Sequence, residues 1–588
     1  MFLARMKTLL LASAVMLGGL CSTALAQTSE ETKVLSSSIL PKDTYLYLSV
    51  PSVADMKEQF MESSAGKMWD DPAMADFRAE LEKAFASEME QGMAQVQEAL
   101  GMTLQELLEV PTGEVSLAFS KAPPNKMGAI LFFDYGEHEE QVKGLLEKAL
   151  GGLSQVPVLE AANFEHSGTE VVLFNIKADI AKKTPLAKEF GWFLKDQRMV
   201  LSNSSALLKL TLDNWDGSGE KTLAKNDVYS YIIEKCETKP GSAMMVSFFD
   251  PIGLFTQLVQ TGSLGEAGMQ AGLAISVFPM LGANQLKGIG SVSEIGGEEF
   301  EGVSRSMIYC EQPPQGAMQM FQLAETDPTP PSWVKEGTVL WMSTTWKVEE
   351  AYNAVATMVD MFQGAGAFEG IIDRLAQDGP QVHIKNDIID QMDGKLQMTM
   401  ASGEGETATG TDDILFAIGV RETEKIADLL AKLTSQPGFP GETRELEGAT
   451  IYEIENPGGG KVSFTAANNF LFISVGGTQL EAAIRNQDDV RPLSETDEFK
   501  AVAEHFREGA VMVGFSRPSE QYRKLYELVQ SGNAADNFPG MDELFSKIDF
   551  TKLPPFETME KYFAPTGTSW ISDENGVLME QYSLPVAE

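Results

Sequence analysis

Ser64 and Lys67 are the residues whose spacing most directly suggests covalent catalysis, because they satisfy the pattern S-x-x-K. A lysine one helical turn from a serine can remove the hydroxyl proton and create a nucleophile. A chain of 588 residues meets so loose a pattern by chance, and the partner motifs of that enzyme class are missing. No G-x-S-x-G turn occurs either. We predict that neither residue is catalytic.

One turn suggests metal binding through oxygen, DNWDGSGE at 213–220, where Asp213, Asp216 and Glu220 surround two glycines. Calcium prefers such ligands, but the alternating ligands of an EF-hand are missing. A structural turn is the preferred interpretation, and calcium binding is the alternative. No C-x-x-C or Cys/His cluster occurs, so we expect no thiolate zinc site. The sequence leaves any metal ligands unknown.

The histidines are scattered along the chain, and none forms H-x-H or H-E-x-x-H. They are His138, His166, His383 and His505. The glycines of GAGAFEG at 364–370 come closest to a dinucleotide loop, but the third glycine is one place too late. No Walker A motif is present. We therefore expect no cofactor and no catalytic constellation among the histidines or serines.

Two further patterns favour structural roles. Asp70 and Asp71 precede a predicted long helix at 71–101, where a carboxylate caps the helix and interacts well with its dipole. The 29 methionines fall mostly at apolar helix positions, such as Met56, Met61 and Met68. That placement is typical of core packing. A copper site would need methionines clustered in the sequence, and MMV at 244–246 is predicted to be a strand.

The N-terminus predicts export. Arg5 and Lys7 precede an apolar stretch at 8–20, and Ala24-Leu25-Ala26 fits the small-x-small cleavage pattern. Residues 1–26 are thus predicted to be a signal peptide, followed by an N-terminal tail at 27–39. A retained anchor and lipidation at Cys21 are the alternatives. The mature protein would lie in the periplasm, at the cell surface or outside the cell.

The charge of the chain limits its partners. Lys and Arg number 45 and Asp and Glu 85, which gives a formal net charge of −40. Such a surface repels phosphate backbones, so nucleic acid is not an expected partner. Cations and basic partners are compatible with it. No stretch after the signal peptide is long and apolar enough to predict a membrane span.

The chain contains an internal repeat. DILFAIGVRETEKIADLLAKL at 413–433 has a diverged copy at 129–149, without an internal gap. Six further pairs of segments follow the same order: 43–50 with 337–344, 110–119 with 391–400, 167–174 with 447–454, 198–214 with 470–486, 223–229 with 493–499, and 245–251 with 513–518. We predict two diverged halves, 40–325 and 333–588, joined by a proline-rich linker at 326–332.

Each half is predicted to be an α+β unit, a largely antiparallel sheet with helices packed on a face. Alternating strands bounded by prolines, such as 43–50, indicate the sheet. AILFF at 129–133 is apolar throughout, which predicts a central strand buried on both faces. Val142, Leu145 and Leu146 then adopt helical spacing, as do Ile426, Leu429, Leu430 and Leu433 in the second half.

The ordered motifs resemble the bacterial family known as domain of unknown function 3352. They include Pro-x-Asp-Thr at 41–44, Gly-Glu-Val-x-Leu-Ala at 113–118, and the segments 330–338 and 362–396. The second half is most similar to exported planctomycete proteins of that kind. The resemblance covers nearly the whole mature chain and implies export and duplication. It supplies no activity, cofactor or catalytic residue.

These patterns favour an exported acidic protein that is non-enzymatic, with a structural or ligand-binding role. A secreted hydrolase that uses unidentified carboxylates is one alternative, and a calcium- or cation-binding surface protein is another. Cys236 and Cys310 are predicted to be separate core thiols, with a disulfide between them as the alternative.

Cleavage after Ala26 is the testable prediction of the sequence. Intact-mass spectrometry of the protein purified from its native source should give an N-terminus at Gln27. An N-terminus at Met1, or a lipid attached to Cys21, would contradict it.

Overall fold

The structure is a computed structural model that describes residues 34–81, 83, 110–124, 126–177, 188–239, 241–264, 268–297, 299–378, 381–401, 413–436, 438–455, 461–475, 478–486, 489–532 and 548–586. These residues form two compact units. The first comprises the described residues within 34–276, 286–297 and 302–309, and the second those within 277–285, 299–301 and 310–586. The predicted signal peptide lies outside the described residues.

The first unit is built on an antiparallel sheet. Its strands are β1 (Thr44–Val50), β2 (Val115–Ala122), β3 (Lys126–Asp134), β4 (Leu159–Ala161), β5 (Phe164–His166), β6 (Thr169–Ile176), β7 (Glu189–Lys195), β8 (Arg198–Ser202), β9 (Met245–Phe249), β10 (Leu286–Ile295) and β11 (Gly302–Cys310). Hydrogen bonds join them in the order β10-β9-β1-β2-β3-β8-β7-β6-β4, and β5 also pairs with β6.

Helices connect these strands. They are α1 (Val53–Glu62), α2 (Ser64–Asp70), α3 (Glu139–Leu153), α4 (Ser205–Asp213), α5 (Asp227–Cys236), α6 (Pro251–Gln260) and α7 (Gly268–Leu281). The beginning of the helix predicted at 71–101 is described, and Asp71 caps it by accepting the Ala73 N–H at 2.9 Å. The predicted helix is described over 71–81 and at 83, and its remaining residues lie outside the described part of the chain.

The second unit is also an antiparallel sheet. Its strands are β12 (Leu323–Ala324), β13 (Thr338–Trp346), β14 (Met392–Ala401), β15 (Asp413–Val420), β16 (Glu442–Leu446), β17 (Ala449–Glu455), β18 (Lys461–Ala467), β19 (Phe470–Val475), β20 (Ala510–Ser516), β21 (Thr566–Asp573) and β22 (Gly576–Ser583). The order is β22-β21-β20-β13-β14-β15-β19-β18-β17-β16, with β12 beside one end of β13.

The helices of this unit are α8 (Val348–Gln363), α9 (Ala367–Asp378), α10 (Thr423–Thr434), α11 (Thr478–Arg485), α12 (Asp497–Ala503), α13 (Pro518–Gln530) and α14 (Phe556–Glu560). The α+β prediction is therefore confirmed. None of the helices within the described ranges combines the length and apolar character that crossing a membrane requires.

In each unit a helix that directly follows a central strand packs on the sheet: α3 follows β3, and α10 follows β15. Val142 and Leu146 of α3 pack beside Phe133 of β3 and Met199 of β8. In the second unit, Ile426 and Leu430 of α10 pack with residues of β15, β17, β18 and β19. The predicted helix faces are thus the packed faces, except that Leu433 is exposed.

The prediction that the apolar strand is buried on both faces is wrong. β3 pairs with a neighbour on each side, but its residues alternate between buried and half-buried. In β15, Phe416 is 42% exposed. Backbone pairing makes the strand central, and its residues that face one side of the sheet are buried more deeply than those that face the other.

A cluster of three aromatic rings in edge-to-face contact lies in the core of each unit. Tyr229 of α5 lies edge-on to Tyr47 of β1 and Phe248 of β9, with ring centroids 6.0 and 5.5 Å apart. In the second unit, Phe499 of α12 lies edge-on to Trp341 of β13 and Phe515 of β20, both at 5.7 Å. Edge-to-face pairs of this kind stabilise a core beyond the area that they bury.

The segment before β1 packs against the first sheet around a buried carboxylate. Ser36 donates its N–H to Glu114 Oε2 at 2.8 Å, and its hydroxyl also contacts Glu114. Tyr47 and Ser49 of β1 donate their hydroxyls to Glu114 Oε1 at 3.1 Å each. Burial and the neighbouring Glu114 carboxylate raise the pKa of Tyr47 well above its usual value, so its phenol remains a donor.

The second unit replaces this carboxylate with neutral groups. Trp341 donates its indole N–H to Gln397 Oε1 at 2.7 Å, and Gln397 donates to Ser343 Oγ at 2.8 Å. Ser343 in turn lies 3.1 Å from the Thr326 hydroxyl. The predicted repeat aligns Trp341 with Tyr47, and Lys395 with Glu114, and the Lys395 side chain is exposed.

Cys236 and Cys310 are both buried and form no disulfide, as predicted. Burial raises the pKa of the Cys236 thiol to about 12. A thiol with so high a pKa remains protonated at neutral pH and reacts slowly. The two cysteines therefore act as small apolar core residues.

Glu114→Gln should destabilise the first unit by about 1–3 kcal/mol, because an amide cannot accept the same set of buried hydrogen bonds. Urea unfolding followed by tryptophan fluorescence measures the change. Lys395→Gln is the matched control, since it alters the aligned but exposed position and should change stability by less than about 0.5 kcal/mol. Equal stabilities for the two variants would contradict a structural role for the carboxylate.

Candidate functional site

Ser64 and Lys67 are not arranged as a catalytic pair. Ser64 is buried at the start of α2, whereas the Lys67 side chain is exposed. The glycine segment 364–370 connects α8 to α9. Its N–H groups are used by Asp360, which accepts from Gly366 at 2.9 Å and from Phe368 at 2.8 Å. These hydrogen bonds lower the pKa of the Asp360 carboxyl. The segment is a helix connection that a side chain already caps.

The acidic turn at 213–220 is held by separate local contacts. Asp216 accepts from the backbone N–H and hydroxyl of Ser218, at 3.0 and 2.8 Å. Asp213 lies 2.6 Å from His166 Nε2, and the Ser167 hydroxyl donates to it at 3.3 Å. Within the described residues, no three His, Cys, Asp or Glu side chains converge as metal ligands. The contacts fit the structural-turn interpretation.

The other histidines lie in separate surroundings. His138 Nδ1 is 2.8 Å from the Val110 carbonyl oxygen at the start of α3. His383 accepts the Asn386 N–H at 3.3 Å and caps a short π-helical segment. His505 Nδ1 lies 3.3 Å from Glu299. The structure therefore does not bring His138, His166, His383 and His505 together.

Four described carboxylates are buried, and each has a polar partner. Glu114 accepts hydrogen bonds from the hydroxyl groups of Ser36, Tyr47 and Ser49. Asp134 pairs with Arg198 at 3.5 Å, Asp413 accepts the Gln479 N–H at 2.7 Å, and Glu580 lies 3.7 Å from Arg507. They belong to different strands or strand ends, so each stabilises its own part of a sheet.

An open groove on the second unit, here called the methionine groove, is a candidate binding surface among the described residues. Its volume is about 260 Å³. It is lined by Pro279, Met280, Gln315, Gly316, Gln319, Ala354, Thr357, Met358 and Met361. These residues come from the end of α7, the 3-10 turn Gly316–Phe321, and one face of α8.

Two glycines allow the wall of the groove to approach the end of α7. Gly282 and Gly316 both have positive φ, +71° and +56°. A Cβ on Gly316 would lie 2.5 Å from the Met280 carbonyl oxygen, and one on Gly282 would overlap the Gln315 carbonyl oxygen. Only glycine fits such a backbone approach without displacing one of the two segments.

A buried glutamine holds the same loop in place. Gln285 donates its amide to the carbonyl oxygens of Glu311 and Pro313, at 3.0 and 2.8 Å. It also accepts the Gln315 N–H at 2.7 Å. Trp346 of β13 donates its indole N–H to the Met320 carbonyl oxygen at 2.7 Å. The groove is therefore attached to the sheet through side-chain hydrogen bonds.

Large apolar side chains are exposed in and next to the groove. Met280 is 40% exposed and Met361 53%, and both line it. Phe362 follows Met361 and is 59% exposed, while Phe321 ends the 3-10 turn and is 70% exposed. Soluble proteins rarely leave such groups clustered in water unless the surface binds something. Unbranched, polarizable methionines adapt their shape to a partner.

The charge near the groove is negative. The elements that form it, α7, the turn Gly316–Phe321 and α8, contain Glu349, Glu350 and Asp360 but no lysine or arginine. Lys385 offsets part of this charge, since its Nζ lies 3.5 Å from Glu349. The groove is lined by apolar and polar side chains in similar measure, and α8 carries the acidic residues, which favours a ligand that is amphipathic and cationic.

The sequence alone did not reveal this site. Met280 lies almost 80 residues before Met358 and Met361, so no methionine cluster is visible along the chain. The i, i+3 spacing of Met358 and Met361 was a possible signal, because it places both on one helix face. The same spacing is also typical of a stripe of residues that faces the core, so it does not distinguish a binding surface from core packing.

Gly316→Ala should destabilise the second unit by about 1–3 kcal/mol, because alanine is strained at positive φ and its Cβ collides with the end of α7. Gly337→Ala is the control, since a Cβ there meets nothing within 4 Å. Urea unfolding of both variants provides the comparison. Equal stability of Gly316→Ala and the parent protein would show that the loop tolerates displacement.

No family model, no curated protein and no solved structure matches this chain. The resemblance to domain of unknown function 3352 therefore rests on the motifs quoted above.

Proposed function

We propose that this is an exported, non-enzymatic binding protein whose methionine groove binds a cationic amphipathic segment of a partner protein. The observation that carries the proposal is the exposure of Met280, Met361, Phe321 and Phe362 in and beside one groove. The export predicted from residues 1–26 supports a role outside the cytoplasm.

The size of the groove supports a peptide segment. Its volume of about 260 Å³ is below the roughly 300–1,000 Å³ of pockets that enclose a whole small molecule. It can accept one or two apolar side chains, while the exposed phenylalanines extend the contact. An amphipathic helix presents its apolar anchors at i, i+3, i+4 and i+7 and binds open grooves in this way.

The charge supports a basic partner. The chain carries a formal net charge of −40, so an acidic segment would be repelled at long range. Lysines and arginines flanking apolar anchors would instead increase the association rate. The same charge argues against nucleic acid as the partner. A secreted hydrolase and a calcium- or cation-binding protein stay predictions, and the groove favours neither.

We also propose that the two units arose by duplication of one ancestral unit. Nine strands follow in the same order in both sheets, β10-β9-β1-β2-β3-β8-β7-β6-β4 and β21-β20-β13-β14-β15-β19-β18-β17-β16. The aligned aromatic clusters around Tyr229 and Phe499 support this origin.

Backbone hydrogen bonds at aligned positions also support a common origin of the two units. The Leu223 N–H donates to the Leu40 carbonyl oxygen at 2.9 Å, and the Leu493 N–H donates to that of Val334 at 2.8 Å. In this view the first unit retained the general scaffold, and the second acquired an exposed apolar face on α8.

Fluorescence anisotropy with labelled 18-residue peptides tests the binding proposal. A Lys/Leu peptide patterned as an amphipathic helix should bind, and its affinity should fall as salt rises. A peptide of the same composition with scrambled order, and a Glu/Leu helix, should bind at least about tenfold more weakly. Equal binding of all three peptides would overturn the proposal.

A matched pair of variants locates the binding surface. Met361→Lys should weaken binding of the basic peptide at least about tenfold, because it removes an apolar contact and adds a like charge. Leu525→Lys adds the same charge on α13, at a leucine that is 41% exposed and does not line the groove. If both variants weaken binding equally, the effect is one of net charge and the groove is not the site.

A further inference from the structure

The methionines of this chain differ sharply in exposure. Among the methionines whose side chains the structure describes, Met280 and Met361 are those exposed by more than 36%, and both line the methionine groove. Four described methionines are in the core instead, among them Met56 and Met74 at 5% and Met307 at 0%. An oxidant dissolved in the surrounding medium therefore reaches the groove methionines before these buried ones.

We propose that Met280 and Met361 are sites of reversible oxidation, and that their conversion to sulfoxides prevents the groove from binding its cationic amphipathic ligand. This inference rests on the proposed function, because it concerns regulation of the same site. The oxidant is a hydroperoxide of the extracytoplasmic medium, and the reductant is a thiol-dependent methionine sulfoxide reductase.

The peroxide and the reductase account for every atom and electron of the two reactions. The thioether sulfur attacks the distal oxygen of hydrogen peroxide, the O–O bond breaks and an S–O bond forms. Sulfur loses two electrons and the peroxide is reduced to water. In the reverse step, two reductase thiols become a disulfide and the sulfoxide oxygen leaves as water. Reductases specific for each of the two sulfoxide epimers are needed for full reversal.

Oxidation changes the property on which the groove depends. A sulfoxide is a polar hydrogen-bond acceptor, and burying it under an apolar side chain costs free energy because its oxygen loses water. Met280 and Met361 come from different helices that line the groove, α7 and α8. Oxidation at either position therefore places a polar group on the surface that would contact the ligand.

The cysteines are poor competitors for the oxidant. Cys236 is buried, and burial raises the pKa of its thiol to about 12, so little thiolate is available. Cys310 is also buried. The exposed thioethers are thus better placed to sense peroxide than either thiol.

Graded hydrogen peroxide treatment followed by peptide mapping tests the chemistry. Met280 and Met361 should be oxidised at least about tenfold faster than Met56 and Met307. Binding of the Lys/Leu peptide should weaken in step with their oxidation, by at least about tenfold. A mixture of both methionine sulfoxide reductases with dithiothreitol should restore it. Uniform oxidation of all four methionines, or unchanged binding after complete oxidation of the groove pair, would overturn the proposal.

A double variant separates the switch from general oxidative damage. In Met280→Leu/Met361→Leu the ratio of affinities before and after peroxide should be close to one, whatever the starting affinity. Met56→Leu is the control and should show the full loss. If the untreated parent protein does not bind the peptide, the proposed function fails. If it binds before and after oxidation alike, the redox inference alone fails.

Discussion

The core of each unit depends on burying one aromatic side chain of a central strand, Tyr47 in β1 and Trp341 in β13, together with the polar hydrogen that the ring carries. Tyr47 donates its hydroxyl to Glu114, and Trp341 donates its indole N–H to Gln397. Without such an acceptor, the buried donor would cost about 1–3 kcal/mol. The ring sits where the sheet, a covering helix and the preceding segment meet, so each of these elements must match the others in shape and in hydrogen bonding.

The two units satisfy this requirement with different chemistry. The first uses a buried carboxylate surrounded by hydroxyl groups, including that of Ser36 from the segment before β1. The second uses the neutral chain from Trp341 through Gln397 and Ser343 to Thr326. In both, a hydroxyl from the preceding segment completes the network. Ser36 precedes β1 and Thr326 precedes β13, so buried residues before these two strands are part of the core of each unit.

The core of the second unit does not require the methionine groove. The sheet of the second unit is complete without an apolar outer face on α8, yet Met361 and Phe362 are exposed there. The side chain of Gln285, the close backbone approach at Gly282 and Gly316, and the Trp346 hydrogen bond fix the opposite wall. A rigid wall facing flexible methionines is a sensible arrangement for accepting varied apolar anchors.

The sequence by itself determined the elements whose signals are local. Alternation and helical spacing identified β3, α3 and their counterparts, the cap at Asp71 was visible beside Pro72, and two cysteines at apolar positions indicated core thiols. The α+β class followed from the order of these elements. Tertiary structure alone decided that one face of AILFF is buried more deeply than the other, that Ser36 reaches Glu114 some 78 residues away, and that Met280 lines the same groove as Met358 and Met361. Periodicity reports which side of an element is apolar, but the residues that meet across a sheet or a groove are set by how the chain folds back on itself.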